Sequence, residues 1–316
     1  MVVFLYLVFL NILSKPIKQI IMALMRNQVV VITGAAGGIG RSCAYAMRDY
    51  KLVVSDYSQE VVDKLVMELR GEGIDALGHA ADITDREAVE SLKNLALRQG
   101  NFKAVIHTAG VSGATKDIKR VFDINLRATD IVIDTFHDIS RKDSVIVLIA
   151  SMMGHAIPPN PVYDEALRNP NKKDAFSIVE PFVENNSDTM YNFTKRGVLL
   201  LCEDNVMRFG NMGARIVTIS PGVVFSPMVK QAWHDHPETM EAQRRMTPAG
   251  RYGVPEDIAE LAKFLISDAA EFITGTDIML DGGLFSQIMK ASAKKEQPAK
   301  KDTKPTTEDT KNTKSK

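Results

Sequence analysis

The sequence predicts an α/β fold, a doubly wound parallel sheet in a single domain with one helical insertion after the fifth strand. Three observations carry this expectation. Short runs rich in β-branched residues alternate with stretches of helical spacing, most of those runs are apolar on both faces, and a glycine-rich turn directly follows the first. Strand and helix in alternation favour parallel pairing, and a parallel strand covered by helices on either side is apolar throughout.

Taken in order, the strands are expected at Gln28–Thr33, Lys51–Ser55, Lys103–Thr108, Ser144–Ala150, Ala214–Ser220 and Asp277–Leu280, with a weaker one near Ala76–Ala80. Between them, Val61, Leu65 and Leu69, and later Val89, Leu92 and Leu95, recur at helical intervals. The rhythm breaks over residues 155–188, where Pro158, Pro159 and Pro161 precede two helical segments. In the second, Ala175, Ile178, Val179, Phe182 and Val183 share a face, with Asp174 as N-cap and Pro181 as a kink. Neither an internal repeat nor an interdomain linker interrupts residues 26–290.

The two ends differ from this body. Residues 1–25 form an apolar leader whose run from Met1 to Leu13 is shorter than the roughly 20 residues a membrane-spanning helix needs. It lacks the basic start and small-residue cleavage site of a secretory signal. An interfacial anchor, with Lys15 and Lys18 toward head groups, competes with the favoured reading of an over-long start before Met22 or Met25. Residues 291–316 hold eight lysines and four acids with Pro298 and Pro305, the composition of a disordered polar tail. Lysine and arginine balance aspartate and glutamate at 39 each, so the charge gives no sign of a nucleic-acid partner. The two cysteines, Cys43 and Cys202, have no metal-ligand spacing and imply no disulfide framework, which makes the cytoplasm the expected location and a metal site unexpected.

The glycine turn reads Thr33-Gly34-Ala35-Ala36-Gly37-Gly38-Ile39-Gly40, before a helix expected to start near Arg41. Gly34 lets the chain leave the strand sharply, Gly38 lets backbone approach a pyrophosphate, and Gly40 lets the helix pack closely on the sheet. The helix N-terminus then faces the phosphates, which is the dinucleotide arrangement of a Rossmann-type sheet. Asp56, sixteen residues past Gly40 at the end of the second strand, can accept from the ribose hydroxyls. Its neighbours Ser55, Tyr57 and Ser58 supply no arginine for a 2′-phosphate, so NAD(H) is expected rather than NADP(H). Further along, Tyr191 and Lys195 stand four apart on one helical face. A free phenol, of pKa about 10, is a poor base at neutral pH, and a nearby ammonium lowers that value.

Together with Asn125 and Ser151, these two residues resemble the Asn–Ser–Tyr–Lys tetrad of the short-chain dehydrogenase/reductase family. Other pieces follow that family in the same order: Thr33–Gly40, Asp82-Ile83, Ala109-Gly110, Pro221-Gly222 with Ser226, Gly250-Arg251-x-Gly253-x-Pro255, and Asp281-Gly282-Gly283. The resemblance covers residues 28–285 and implies an oxidoreductase that moves a hydride between nicotinamide and a small-molecule carbonyl or alcohol substrate. It implies that Tyr191 exchanges the proton with substrate oxygen, Ser151 hydrogen-bonds that oxygen, Lys195 lowers the tyrosine pKa and holds the nicotinamide ribose, and Asn125 anchors a water. It places Gly34, Gly38, Ile39 and Gly40 at the pyrophosphate, Asp56 at the ribose, Asp82 and Ile83 at the adenine, and Ala109 and Gly110 along the cofactor. Pro221, Gly222, the Val224 backbone and Ser226 fall at the carboxamide, and a homo-oligomer, dimer or tetramer, is implied as well.

Two departures stand out. The family's Asn-Asn-Ala-Gly reads His107-Thr108-Ala109-Gly110, so Thr108 is expected to anchor its loop by a hydroxyl and His107 to be a strand-end residue. Forty positions separate Ser151 from Tyr191, a much longer interval than most members have, while Gly110 and Asn125 stand close. This combination resembles the 3α-hydroxysteroid dehydrogenase/carbonyl reductase branch. It suggests that Phe176, Ile178, Val179 and Phe182 of the insertion, with Met152, Met153 and Met228, line a mouth for a bulky hydrophobic ketone. Two other functions compete: a sugar-nucleotide epimerase or dehydratase, whose glycine spacing differs from this one, and an NAD(H)-sensing protein without turnover, which usually lacks the tyrosine or the lysine.

Overall fold

The computed structural model describes residues 27–225 and 237–296. Seven parallel strands form one sheet in the order β3-β2-β1-β4-β5-β6-β7. They are β1 (Gln28–Thr33), β2 (Lys51–Ser55), β3 (Ala76–Gly78), β4 (Asn101–His107), β5 (Val145–Ile149), β6 (Arg215–Pro221) and β7 (Asp277–Leu280). All seven expected strands are present, three of them with the expected limits.

Alternation along each strand divides its side chains between two cores. Val29 and Val31 of β1 join one cluster, which includes Val89 and Leu92 of α3 (Arg86–Gln99) and Leu200 of α8 (Ser187–Gly210). Val30 and Ile32 join the other, with Cys43 of α1 (Gly38–Ala46), Leu65 of α2 (Gln59–Gly71) and Ile258 of α10 (Pro255–Ile266). This two-sided burial is why the strands read as apolar on both faces. The chain reverses its winding between β1 and β4, which opens a crevice at their carboxyl ends.

α1 begins at Gly38, three residues before the expected Arg41. Gly37 is already extended at φ −67° and ψ 163°, so the turn closes within the glycines. Between α4 (Ile118–Phe122) and α5 (Ala128–His137) lies one π-helical turn, Asp123–Arg127, with Asn125 buried in it. At the other end, α11 (Leu284–Glu296) continues helical past the Lys290 boundary, through the good helix formers Ala291 to Glu296. Asp281 caps it, accepting from the amides of Gly283 at 2.8 Å and Phe285 at 2.6 Å.

The insertion forms α6 (Pro161–Arg168), α7 (Ala175–Val179) and a 3₁₀ turn at Glu180–Phe182, where Pro181 falls. Asn160, not singled out in the sequence, caps α6 by accepting from the Val162 amide at 2.9 Å. Asp174 precedes α7 but its side chain makes no capping bond. The insertion is strapped to the helical layer. Asp164 takes both arms of Arg196 at 2.6 Å, Arg168 bonds Glu203 and Asp204, and Arg127 donates to the carbonyls of Pro170 and Lys172.

This packing corrects the expected role of the insertion's apolar face. Ala175, Val179 and Val183 are buried in the core cluster shared with α8, and Phe176 meets Phe122 edge-on at 5.6 Å. Phe182 stands edge-on to Tyr163, whose ring also packs on Phe193 of α8. The spacing that marks an apolar helical face does not say which surface it covers; here the domain's own helices bury Val179 and half cover Phe176 and Ile178, while Phe182 stays 42% exposed. Among the described residues no helix is long and apolar enough to cross a membrane. The leader, Ser226, Met228 and residues 297–316 lie outside the described residues.

Candidate active site

The site is built on the carboxyl ends of the strands. Gly34 turns off β1 at φ +65°, and a Cβ there would lie 2.6 Å from the backbone nitrogen of Ala109. A Cβ on Gly40 would fall 2.7 Å from Thr108 Oγ1 and 2.8 Å from the Ala35 Cα. The Ala109 backbone therefore abuts the glycine loop. Thr108 fixes this contact by donating from Oγ1 to the carbonyls of Thr33 at 2.7 Å and Gly34 at 3.2 Å. No side chain caps α1, so the N–H groups of its first turn are left to face an anion.

Asp56 closes the loop from the other side. Its Oδ2 accepts from the Ala36 amide at 3.0 Å and its Oδ1 from the Tyr57 amide at 2.9 Å. These bonds aim the carboxylate beside the loop and leave lone pairs free for hydroxyl donors. The carbonyl of Asp56 accepts from Ala81 at 2.9 Å, which brings Asp82 and Ile83 next to it. Ile83 is buried, whereas Asp82 is exposed and turns its Oδ1 to Thr84. The neighbouring Tyr57 is 81% exposed.

The four tetrad positions converge. Ser151 ends the extended chain after β5, and its Oγ accepts from the Met153 amide at 3.2 Å. The Tyr191 phenol faces Ser151, whose hydroxyl acts to lower the phenol's pKa. Lys195, one turn along α8, lies 5.6 Å from the centre of the Tyr191 ring and donates to the Ile149 carbonyl at 2.8 Å. Asn125 is held by Val111, accepting its N–H at 2.8 Å and donating to its carbonyl at 2.9 Å. Gly110 lies between Asn125 and Lys195 Nζ. Gly154 went without a role in the sequence. A Cβ there would sit 2.8 Å from the Lys195 backbone, so the chain after Ser151 can rest on α8 only with glycine at this place.

Burial raises the Tyr191 pKa above that of a free phenol, and the neighbouring Ser151 hydroxyl opposes this only in part, so the phenol is protonated at neutral pH. Burial also pushes Lys195 down to about 8. The arrangement can therefore give a proton to an oxygen placed between Ser151 and Tyr191. His107, buried behind the tetrad, is pushed down to about 3 by burial and by the Lys195 charge, and is neutral.

On the far wall, Pro221 ends β6, and Gly222 passes so near Asp281 that a Cβ would lie 2.7 Å from its Cα. Val224 bridges to Gly253, with Phe225 donating to the Gly253 carbonyl at 2.7 Å. The Gly-Arg-x-Gly segment thus braces the loop that leads toward Ser226.

Comparison with known proteins agrees with this construction. The family described as short chain dehydrogenase matches residues 28–164, and the one described as Enoyl-(Acyl carrier protein) reductase matches residues 176–285. The chain is 27% identical over 275 residues to a 3beta-hydroxysteroid dehydrogenase 1 of Eggerthella lenta, covering 82% of this chain and 94% of that protein. It is 28% identical over 273 residues to a cyclohexanol dehydrogenase of an Acinetobacter species, covering 83% and 96%. A solved short-chain dehydrogenase/reductase of Serratia marcescens, 19% identical, shares the fold with a TM-score of 0.67 over 83% of this chain and 99% of that one. With its parallel seven-stranded sheet and these ordered matches, the chain belongs to the short-chain dehydrogenase/reductase family.

Proposed function

We propose that this protein is an NAD(H)-dependent dehydrogenase that interconverts a secondary alcohol and a ketone. The observation that carries this reading is the gathering of Tyr191, Lys195 and Ser151 at the carboxyl end of β5, with Lys195 Nζ 5.6 Å from the Tyr191 ring and bonded to the Ile149 carbonyl, opposite the glycine loop. The residues fit a nicotinamide dinucleotide. Gly34 and Gly40 shape a backbone cradle, the uncapped start of α1 offers N–H donors to the pyrophosphate, and Asp56 offers acceptors to the ribose. When bound, the nicotinamide supplies or takes the hydride. In ketone reduction Ser151 orients the carbonyl oxygen and Tyr191 delivers the proton to it; in alcohol oxidation Tyr191 takes that proton back.

Asp56 supports NAD(H) over NADP(H), because a second anion at the ribose would meet a carboxylate already fixed by two amides. The nearest arginine along the chain from the loop, Arg41, is paired with Glu68 at 2.5 Å. The wild type is expected to show a higher kcat/KM with NAD(H) than with NADP(H), and Asp56→Ala to narrow the difference. Equal use of both cofactors by the wild type would remove Asp56 from this role.

The substrate proposed is a bulky hydrophobic alcohol or ketone, steroid-like compounds among them. The names of two relatives, a hydroxysteroid and a cyclohexanol dehydrogenase, support a secondary alcohol on a ring, and Met152 and Met153 stand directly beside Ser151. A panel of cyclic ketones against small polar ones such as acetoin tests this, with the cyclic set expected to give the higher kcat/KM. A reversed order would reject the substrate class and leave the reaction standing. The two buried free thiols, Cys43 and Cys202, are in keeping with a cytoplasmic location.

The titration of Lys195 gives this reading a pH signature. Its ammonium is present below a pKa of about 8 and is lost as pH rises through that value. Ketone reduction also needs the protonated phenol, so its kcat/KM is expected to be level at neutral pH and to fall above about pH 8. Alcohol oxidation, which needs the phenolate, loses the ammonium that favours it over the same range and should not gain there. Initial rates in both directions from pH 6 to pH 10 check this; a reduction rate that climbs above pH 8 would contradict it.

A further inference from the structure

Behind the tetrad runs a buried string of hydrogen bonds. Thr33 Oγ1 lies 2.7 Å from His107 Nδ1, and His107 Nε2 lies 3.1 Å from Thr129 Oγ1. Thr129 Oγ1 donates to the Asn125 carbonyl at 2.8 Å. Thr33, His107, Thr129 and Asn125 are all at most 3% exposed, so water does not compete for these groups. The string has one consistent direction. Thr129 has a single hydroxyl proton and spends it on Asn125, so it can only accept from His107. Nε2 must therefore carry the ring proton, and Nδ1 of the neutral ring must accept from the Thr33 hydroxyl.

We propose that His107 is a positioning residue that orients the Thr129 hydroxyl toward the Asn125 carbonyl and so couples the end of β1, beneath the glycine loop, to the tetrad. This inference rests on the dehydrogenase reading above. Asn125 is held from two sides. Its side-chain amide bonds Val111 and also donates to Thr194 Oγ1 of α8 at 3.4 Å, and its carbonyl is aimed by Thr129. Asn125 lies within a π-helical turn, an irregularity that recurs at functional sites. The other end of the string is rigid, since Thr33 pairs with both Ser55 and His107 in the sheet and its carbonyl holds Thr108. Histidine suits the place because its two ring nitrogens span from β1 to α5 with one acceptor and one donor. The Lys195 charge, close enough to depress the His107 pKa, disfavours a second ring proton that would reverse the Thr33 bond.

The test combines a spectrum with kinetics. In protein labelled with ¹⁵N-histidine, His107 is expected to show a protonated Nε2 and a bare Nδ1, unchanged from pH 5 to pH 9. Thr129→Val keeps the volume and removes the hydroxyl; it should lower kcat about tenfold, the scale of a small misplacement in an active site, while the NADH dissociation constant from titration changes less than about twofold. His107→Phe should behave alike, the double variant should be no worse than either single one, and Thr129→Ser should recover the rate. A proton on Nδ1, wild-type kcat in Thr129→Val, or losses of rate and NADH affinity that Thr129→Ser does not recover would each overturn the proposal. If Tyr191→Phe retains full rate, the dehydrogenase reading fails by itself, and the coupling to the tetrad fails with it. If Tyr191→Phe is inactive and Thr129→Val is not impaired, only the role of His107 is lost.

Discussion

Replacing Tyr191 by phenylalanine is expected to lower kcat by at least about a hundredfold, the lower range for loss of a general acid–base group. Only the phenolic oxygen is removed. The ring remains packed at the edge of the core cluster around α8, so the fold and the melting temperature should change little. Ser151 loses the hydroxyl it faces but still accepts from the Met153 amide, so its own orientation persists. NADH binding, which draws on the glycine loop, Asp56 and Lys195, should remain within a factor of about two, because the loss concerns an interaction with substrate oxygen rather than with cofactor. Rapid-mixing turnover with NADH in excess, alongside a titration of NADH binding, reads both quantities. A variant that keeps more than about a tenth of the wild-type kcat would remove Tyr191 from proton transfer.

The second large effect is structural and falls on the cofactor loop. Gly34→Ala meets two obstacles. Its φ of +65° is left-handed, a region that disfavours any residue with a Cβ, and the new methyl would sit 2.6 Å from the Ala109 N and Cα and 2.9 Å from the Thr108 carbonyl carbon. All three are backbone atoms of the chain leaving β4, with no flexible side chain to give way. The left-handed strain costs roughly 1–2 kcal/mol. Backbone shifts to relieve the overlap add about 1–3 kcal/mol. The variant should therefore unfold at markedly lower urea and lose NADH binding, because the shift opens the contact that shapes the cradle. Gly71→Ala in α2 is the matched control, since a Cβ there meets nothing within 4 Å. It should be neutral or slightly stabilising. If Gly34→Ala unfolds within about 0.5 kcal/mol of the wild type, an ordinary effect for a surface substitution, the close packing of β1 on the Ala109 loop carries no stability.

Much of the fold was legible because its determinants are local and periodic. A parallel strand buried on both faces needs an apolar run, and β1, β2 and β7 have the limits that their runs announce. The glycine turn was legible for a similar reason, as it combines a left-handed residue with two close approaches that only glycine tolerates. The ends of elements were harder. α1 starts inside the glycines because it needs no side-chain cap there, and α11 runs past a boundary drawn from composition because helix propensity continues through it. Spacing marked Tyr191 and Lys195 as neighbours, and family motifs named their companions, but the meeting of Ser151 with Tyr191 depends on how β5 and α8 lie against one another.

What the sequence by itself determined was the alternating sheet and the glycine turn after β1, since each is written in residues whose conformation requires a fixed local spacing; it also brought Asp56 and the four tetrad positions forward as candidates. Only the tertiary structure decided the rest. It showed that the insertion packs Val179 and the edge of Phe176 against α8 and α4 and leaves Phe182 exposed, because amphipathic spacing names an apolar face without naming its cover. It set the Tyr191 and Lys195 pKa directions, because desolvation depends on everything packed around a group and not on its neighbour one turn away. And it joined Thr33, His107, Thr129 and Asn125, four residues spread over 96 positions of chain, into one string that no spacing rule could connect.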